Sequence, residues 1–257
     1  MKIAIIGAGK MGAWLAQVLA EKNEIALYSR SAEKLQSLGK VKPLKTYDEL
    51  KKFAPELLIN CVSLQYTTEV FDAVIPYLPK TCILSDITSV KNELPEYYQK
   101  QGMRFVSTHP MFGPTFADMS HLKGQNAIII TESDAEGKDF FRKLYQSLKL
   151  NIYDYNFKEH DERTAYSLST PFASSMVFAA CMKNQEAPGT TFKKHLEIAK
   201  GLLSEDDYLL AEIMFNPYTL KQIEMINAKL SYLTHIIKGK DHEEMEKFLK
   251  ALRDNIE

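Results

Sequence analysis

The sequence predicts an α/β fold: a doubly wound sheet with helices on both faces over residues 1–156, then an all-α part over 157–257. Three observations carry this. From Met1 to about Asn156, short β-branched or apolar runs alternate with helical patterns, as a mostly parallel sheet with crossover helices requires. From about Phe157 the strand signal disappears and the apolar spacing becomes helical. The 257 residues also exceed the usual size of one domain.

The expected strands are 2–6, 24–28, 57–62, 81–85, 104–107, 126–131 and 151–155. The expected helices of the second part are 159–183, 191–203, 206–215, 219–238 and 242–255, with breaks at Ala187-Pro188-Gly189 and Asn216-Pro217. No Gly/Ser linker separates the two parts, so the helices should pack directly on the sheet. Residues 170–182 (TPFASSMVFAACM) are small or apolar on nearly every face, which predicts a helix buried all round. Its place is either the centre of the helical part or the core of a homodimer, since about 100 residues of helix have little interior of their own.

Composition excludes several classes. Hydrophobic residues make up 45% and charged residues 25%, an ordinary globular balance. Lys plus Arg number 32 against 33 acids, so no global field recruits nucleic acid. The stretch 170–182 is too short and Ser-interrupted to span a bilayer. Three cysteines lie far apart without a C-x-x-C, which supports neither a disulfide framework nor a metal site. The opening apolar run is a strand entering a glycine turn, too short for a signal peptide, and a cytoplasmic protein is expected.

Gly7-Ala8-Gly9-Lys10-Met11-Gly12 is a G-x-G-x-x-G, weak alone but informative between a strand and a helix over 10–21. Gly7 makes the turn, Gly9 admits a pyrophosphate and Gly12 lets the helix pack close. The helix N-terminus then offers unpaired N–H groups to the phosphates. This predicts a Rossmann-type dinucleotide site. The second strand ends in Tyr28-Ser29-Arg30-Ser31, without the acid that would accept from a ribose 2′-OH. Arg30 could pair with a 2′-phosphate while Ser29 and Ser31 donate to it, so NADP is favoured over NAD. Ser63 and Asp86 complete the cofactor candidates.

Ser85-Asp86-Ile87-Thr88-Ser89-Val90-Lys91 and Ser107-Thr108-His109-Pro110-Met111-Phe112-Gly113-Pro114 each follow an apolar strand, at the sheet edge where ligands bind in such folds. A neutral His109 can take a hydroxyl proton as hydride leaves the same carbon, and Ser89 can orient that oxygen. A histidine base predicts activity lost as pH falls through about 6.5.

These three segments, in this order and spacing, resemble the prephenate dehydrogenases over the whole first part, and the helical half fits that family in length and pattern. The resemblance implies that His109 polarises the ring hydroxyl of prephenate with help from Ser89. Hydride passes to the nicotinamide, CO2 leaves and the ring aromatises to 4-hydroxyphenylpyruvate. It also implies a homodimer joined through the helical domain. Two departures stand out. Many members carry Ser-His-Leu-Pro-His where this chain has Leu168-Ser169-Thr170-Pro171-Phe172, and Lys200-Gly201-Leu202 replaces a Gly-Arg-Leu type segment. Substrate contacts are therefore expected from Thr88, Ser169, Lys194, His195 and Lys200, with Arg163 a further cation. Arogenate dehydrogenase is the close alternative, and a non-catalytic NADP-binding redox sensor the alternative from another class. A β-hydroxyacid dehydrogenase is disfavoured, because the first long helix has no interior lysine before Lys183.

Overall fold

The computed structural model describes residues 1–31, 33, 39–113, 117–183 and 185–256. Among these residues eight strands form one sheet: β1 (Lys2–Ile6), β2 (Glu24–Tyr28), β3 (Lys42–Leu44), β4 (Leu57–Asn60), β5 (Ile83–Asp86), β6 (Phe105–Pro110), β7 (Asn126–Ile130) and β8 (Asn151–Tyr155). Their order is β3-β2-β1-β4-β5-β6-β7-β8, with neighbours parallel except the antiparallel pair β6 and β7. The chain steps outward from β1 to β3, then returns beside β1 as β4. That reversal creates a crevice past the C-terminal ends of β1 and β4, where a doubly wound sheet binds ligands.

Alternation along the strands supplies both faces. Ile3, Ile5 and Ile59 point to one side and pack with Leu15 and Leu19 of α1 (Lys10–Leu19) and Phe141 and Tyr145 of α5 (Ala135–Ser147). Ala4, Ile6 and Leu58 point to the other. There they meet Phe53 of α2 (Glu49–Phe53), Phe71 of α3 (Thr67–Val74) and Tyr98 of α4 (Leu94–Gln101). Strands buried on both faces read as continuous apolar runs, which is why these were legible.

Two strands depart from the expectation. β3 was not anticipated, because Lys42-Pro43-Leu44 is too short to show a period; its proline is tolerated at the sheet edge. β6 continues three residues beyond the expected 104–107, carrying Thr108, His109 and Pro110 buried inside the ladder opposite β7. His109 thus sits within the strand rather than after it, and its backbone is held by pairing with Ile128.

The second part comprises α6 (Phe157–Thr164), α7 (Thr170–Cys181), α8 (Thr190–Leu202), α9 (Asp207–Met214), α10 (Thr219–Gly239) and α11 (His242–Asp254). A capping box starts α6: the Asn156 side chain accepts from Glu159 N–H while Glu159 accepts from Asn156 N–H. The single helix expected over 159–183 is interrupted by a π-helical turn, Ala165–Ser169. Pro171 has no N–H and its ring would clash with the carbonyl four residues back, and the widened turn absorbs that conflict. The expectation of a helix buried all round is not met in the single chain. Only Ala173 of α7 is buried and Val177 is 55% exposed. No helix among the described residues is long and apolar enough to cross a membrane.

Candidate active site

The glycine loop is held by backbone alone. Gly7 has φ +104°, a left-handed conformation, and a Cβ there would meet the Cys61 carbonyl oxygen at 2.7 Å. A Cβ on Gly12 would come within 1.9 Å of the Gly7 oxygen, so α1 can approach β1 only without it. A Cβ on Gly9 would meet nothing within 4 Å. Gly9 is the N-cap of α1 and no side chain caps the helix, so first-turn N–H groups are left for another acceptor. Open space at Gly9 beside uncapped N–H groups is the arrangement a pyrophosphate needs, and these residues fit a dinucleotide.

The loop borders a cleft of about 670 Å³ between the sheet edge and the helical part. Gly9, Lys10, Met11, Ser63, Thr88, Ser89 and His109 all line it, so the structure brings together residues from four separate sequence segments. Gly7, Ala8 and Gly12 stand behind the loop and shape it. Ser29, Arg30 and Ser31 follow β2, whose last residue pairs with Ile6 at the same sheet edge. There Ser29 Oγ accepts from Ser31 N–H at 3.2 Å, and the exposed Arg30 guanidinium lies 5.5 Å from the Tyr66 ring centre. Pro114 lies outside the described residues.

Asp86 does not reach the cleft. It is fully buried, and its oxygens accept from Lys91 Nζ at 2.5 Å, Thr88 Oγ1 at 2.9 Å and Tyr98 O–H at 2.8 Å. Burial, the largest influence, pushes its carboxyl up, but the Lys91 ammonium and the hydrogen bonds from Lys91, Ser107 and Tyr98 together hold it below the usual range. Lys91, equally buried, also donates to the Thr108 carbonyl at 2.8 Å, tying the segment after β5 to β6. Asp86 is thus a fixed anchor for the loop that carries Thr88 and Ser89, rather than a contact for the cofactor.

His109 is 5% exposed, and its Nδ1 lies 3.0 Å from Nε2 of His160. His160 Nδ1 in turn lies 2.9 Å from Asp161 Oδ1, and Thr164 Oγ1 lies 3.5 Å from His160 Nε2. Neither His160 nor Asp161 was assigned a role from sequence. A signal existed: Phe157, His160 and Thr164 share one helical face, and that face is buried. A histidine in the buried stripe of a helix needs a polar partner, which β6 supplies. Burial, reinforced by His160 and Lys91, pushes the His109 imidazole well below its ordinary value. The loss of activity expected near pH 6.5 therefore does not belong to His109, which stays neutral to lower pH. Burial pushes the Asp161 carboxyl up to about 6.

The helical wall corrects the substrate-contact expectation. Ser169 is buried away from the cleft, 2.7 Å from Thr219 Oγ1. Lys194, His195 and Lys200 are exposed on α8 and do not line the cleft; His195 instead rests on the Phe178 ring. Arg163 lies over the Tyr155 ring at 5.8 Å. The wall is built from Leu168, Phe172, Leu202, Leu209, Leu210 and Ile213, and Glu205 and Asp206 also line the cleft, Asp206 accepting from Leu209 N–H. Lys10 is the one Lys or Arg lining the cleft among the described residues.

Residues 17–151 match the family described as "Prephenate dehydrogenase, nucleotide-binding domain". A "Probable arogenate/prephenate dehydrogenase" of Methanocaldococcus jannaschii is 25% identical, with 97% of this chain and 60% of the relative covered. "Arogenate dehydrogenase 1, chloroplastic" of Arabidopsis thaliana is 24% identical over 95% of this chain and 40% of its own length. Among solved structures, the prephenate dehydrogenase from A. aeolicus in complex with hydroxyphenyl propionate and NAD+ superposes with a TM-score of 0.85. It is 19% identical, with 99% of this chain and 96% of that one covered. Synechocystis arogenate dehydrogenase superposes at 0.77, also 19% identical, with 99% and 98% covered. At these identities the solved structures speak for the fold.

Proposed function

The chain belongs to the prephenate dehydrogenase family, and we propose that it oxidatively decarboxylates prephenate to 4-hydroxyphenylpyruvate with a nicotinamide dinucleotide, NADP favoured over NAD. The observation that carries this is His109: a buried, neutral imidazole on the cleft wall, with Ser89 and the glycine loop lining the same cleft. When bound, the dinucleotide supplies the acceptor for the hydride of the carbinol carbon. His109 takes the hydroxyl proton from that carbon's oxygen, and Ser89 donates to the same oxygen and fixes its direction. The apolar wall excludes water from the ring, so the carboxylate is lost into a dry site and the bonding pair completes the aromatic ring. The backbone N–H groups at the start of α1 hold the pyrophosphate, and Arg30 with Ser29 and Ser31 hold the 2′-phosphate.

A second reading, arogenate as substrate, is favoured by the acids Glu205 and Asp206 in the cleft lining. An ammonium in place of the side-chain keto group would find a carboxylate there. Steady-state reduction of NADP+ and NAD+ with each substrate separates the two. Prephenate with NADP+ should give the highest kcat/KM; a clear preference for arogenate would assign these acids to substrate selection. Arg30→Ala should raise the KM for NADP+ roughly ten- to a hundredfold and leave NAD+ nearly unchanged, since a charge-assisted hydrogen bond contributes about 1.5–3 kcal/mol. Equal weakening of both would place Arg30 on a part the two cofactors share.

The same reading includes a dinucleotide-binding domain over 1–156, a helical domain over 157–257, a cytoplasmic location and a homodimer. The dimer is supported by exposed apolar side chains on α7, α8 and α10, including Val177, Ile198, Leu220, Met225 and Ile237. About 100 residues of helix leave these without cover in one chain.

A further inference from the structure

Behind His109 stands a chain of contacts that fixes where its protons lie. An ionised Asp161 can only accept, so the His160 nitrogen 2.9 Å away, Nδ1, carries a hydrogen. A neutral His160 then has a bare Nε2. His109 Nδ1, 3.0 Å from that lone pair, must be the donor. The remaining nitrogen of His109, Nε2, is therefore bare in a residue that lines the cleft. The opposite tautomer would present an N–H and could not accept a proton. We infer that His160 and Asp161 are positioning residues that hold His109 in its base form and balance the charge it acquires during turnover.

The step balances. The substrate O–H bond breaks, an Nε2–H bond forms on His109, and the new imidazolium donates through Nδ1 to His160; once the carboxylate's bonding pair has entered the ring, the phenolate oxygen takes the proton back from Nε2. Asp161 carries the compensating negative charge at the far end of the chain, its side chain 15% exposed while that of His160 is fully buried. The other charges acting on these groups come from the segment after β5: Lys91 lowers both histidines and Asp161, and Asp86 raises the two histidines. Lys91 also donates its backbone N–H to Asp161. Protonating Asp161 turns its carboxyl into a donor, which would reverse both histidine tautomers and close the lone pair. Activity should thus fall as pH drops through about 6, the value to which burial raises Asp161. His109 itself would titrate lower.

This inference rests on His109 being the base, and the test separates the two. Asp161→Asn offers Nδ1 an amide that can donate, so kcat should fall roughly 10²-fold or more, as when a base is held in the wrong tautomer. Substrate KM and dinucleotide affinity should stay near the parent values, the acid limb near pH 6 should vanish, and Asp161→Glu should restore much of the rate. In the unmodified protein, NMR of the ring nitrogens at neutral pH should find the His109 proton on Nδ1. A proton on Nε2, or an Asp161→Asn enzyme with parental kcat and acid limb while His109→Asn is inactive, overturns the positioning role alone. Parental rates in both variants overturn the base assignment as well.

Discussion

His109→Asn should lower kcat by roughly 10²–10⁴ while dinucleotide affinity stays nearly unchanged, the usual cost of removing an acid–base group. Asparagine keeps a polar side chain in the strand but offers no ring lone pair to the cleft. The residue lies inside β6, whose pairing with β7 holds the backbone regardless of the side chain. The loss should therefore appear in kcat, with the fold intact by circular dichroism. Some stability will go, because His160 loses its partner in a buried setting; a hydrogen bond left unmade there costs about 1–3 kcal/mol. Titrating cofactor binding by fluorescence beside the rate measurement separates the two effects. Parental turnover in a folded variant would refute the assignment.

The second large effect concerns stability. Lys91→Met should destabilise the protein by about 3–5 kcal/mol, because it leaves the Asp86 carboxylate buried without its counter-ion. For a chain of this size that lowers the melting temperature by on the order of 10 °C. The remaining partners, Tyr98 and Thr88, are hydrogen-bond donors without charge. Asp86→Asn combined with Lys91→Met should recover much of the loss, since a buried pair replaced as a unit is often near neutral. The pH dependence has a defined sign. The folded state holds the Asp86 carboxyl below its ordinary value, so its contribution is full above that value and is lost as pH falls through the folded pKa. Urea melts of the parent, the single variant and the double variant measure all three. A single variant as stable as the parent would mean the pair contributes nothing to the anchor of the Ser89 loop.

Most of the sheet and the helices α8 to α11 were legible because their signals are local. An apolar run buried on both faces reads as a strand whatever lies elsewhere, and a G-x-G-x-x-G after such a run fixes the first crossover. The interrupted helix before α7 was not legible, because a π turn depends on how the carbonyls around Pro171 are re-satisfied. Strand β6 looked shorter than it is, because its last residues are polar yet buried against β7. The site was half legible. Ser89 and His109 both line the cleft, Ser89 past the end of β5 and His109 inside β6 rather than beyond it, whereas the pairing of His109 with His160 joins residues 51 apart and appears only when α6 packs against β6. Asp86 was misassigned for the same reason: its consumption by Lys91 and Tyr98 is a tertiary fact. The substrate cations expected on α8 faced solvent, because an exposed lysine and one aimed into a cleft have the same sequence.

On the proposed function, this cleft couples oxidation of the substrate carbinol to loss of its ring carboxylate. The decisive experiment quantifies CO2 released and nicotinamide reduced in one reaction with prephenate. One CO2 should appear for each reduced nicotinamide, with 4-hydroxyphenylpyruvate as product and both signals lost together in His109→Asn. Tight dinucleotide binding with no reduction on adding prephenate or arogenate would contradict it and leave a cofactor-binding sensor in its place.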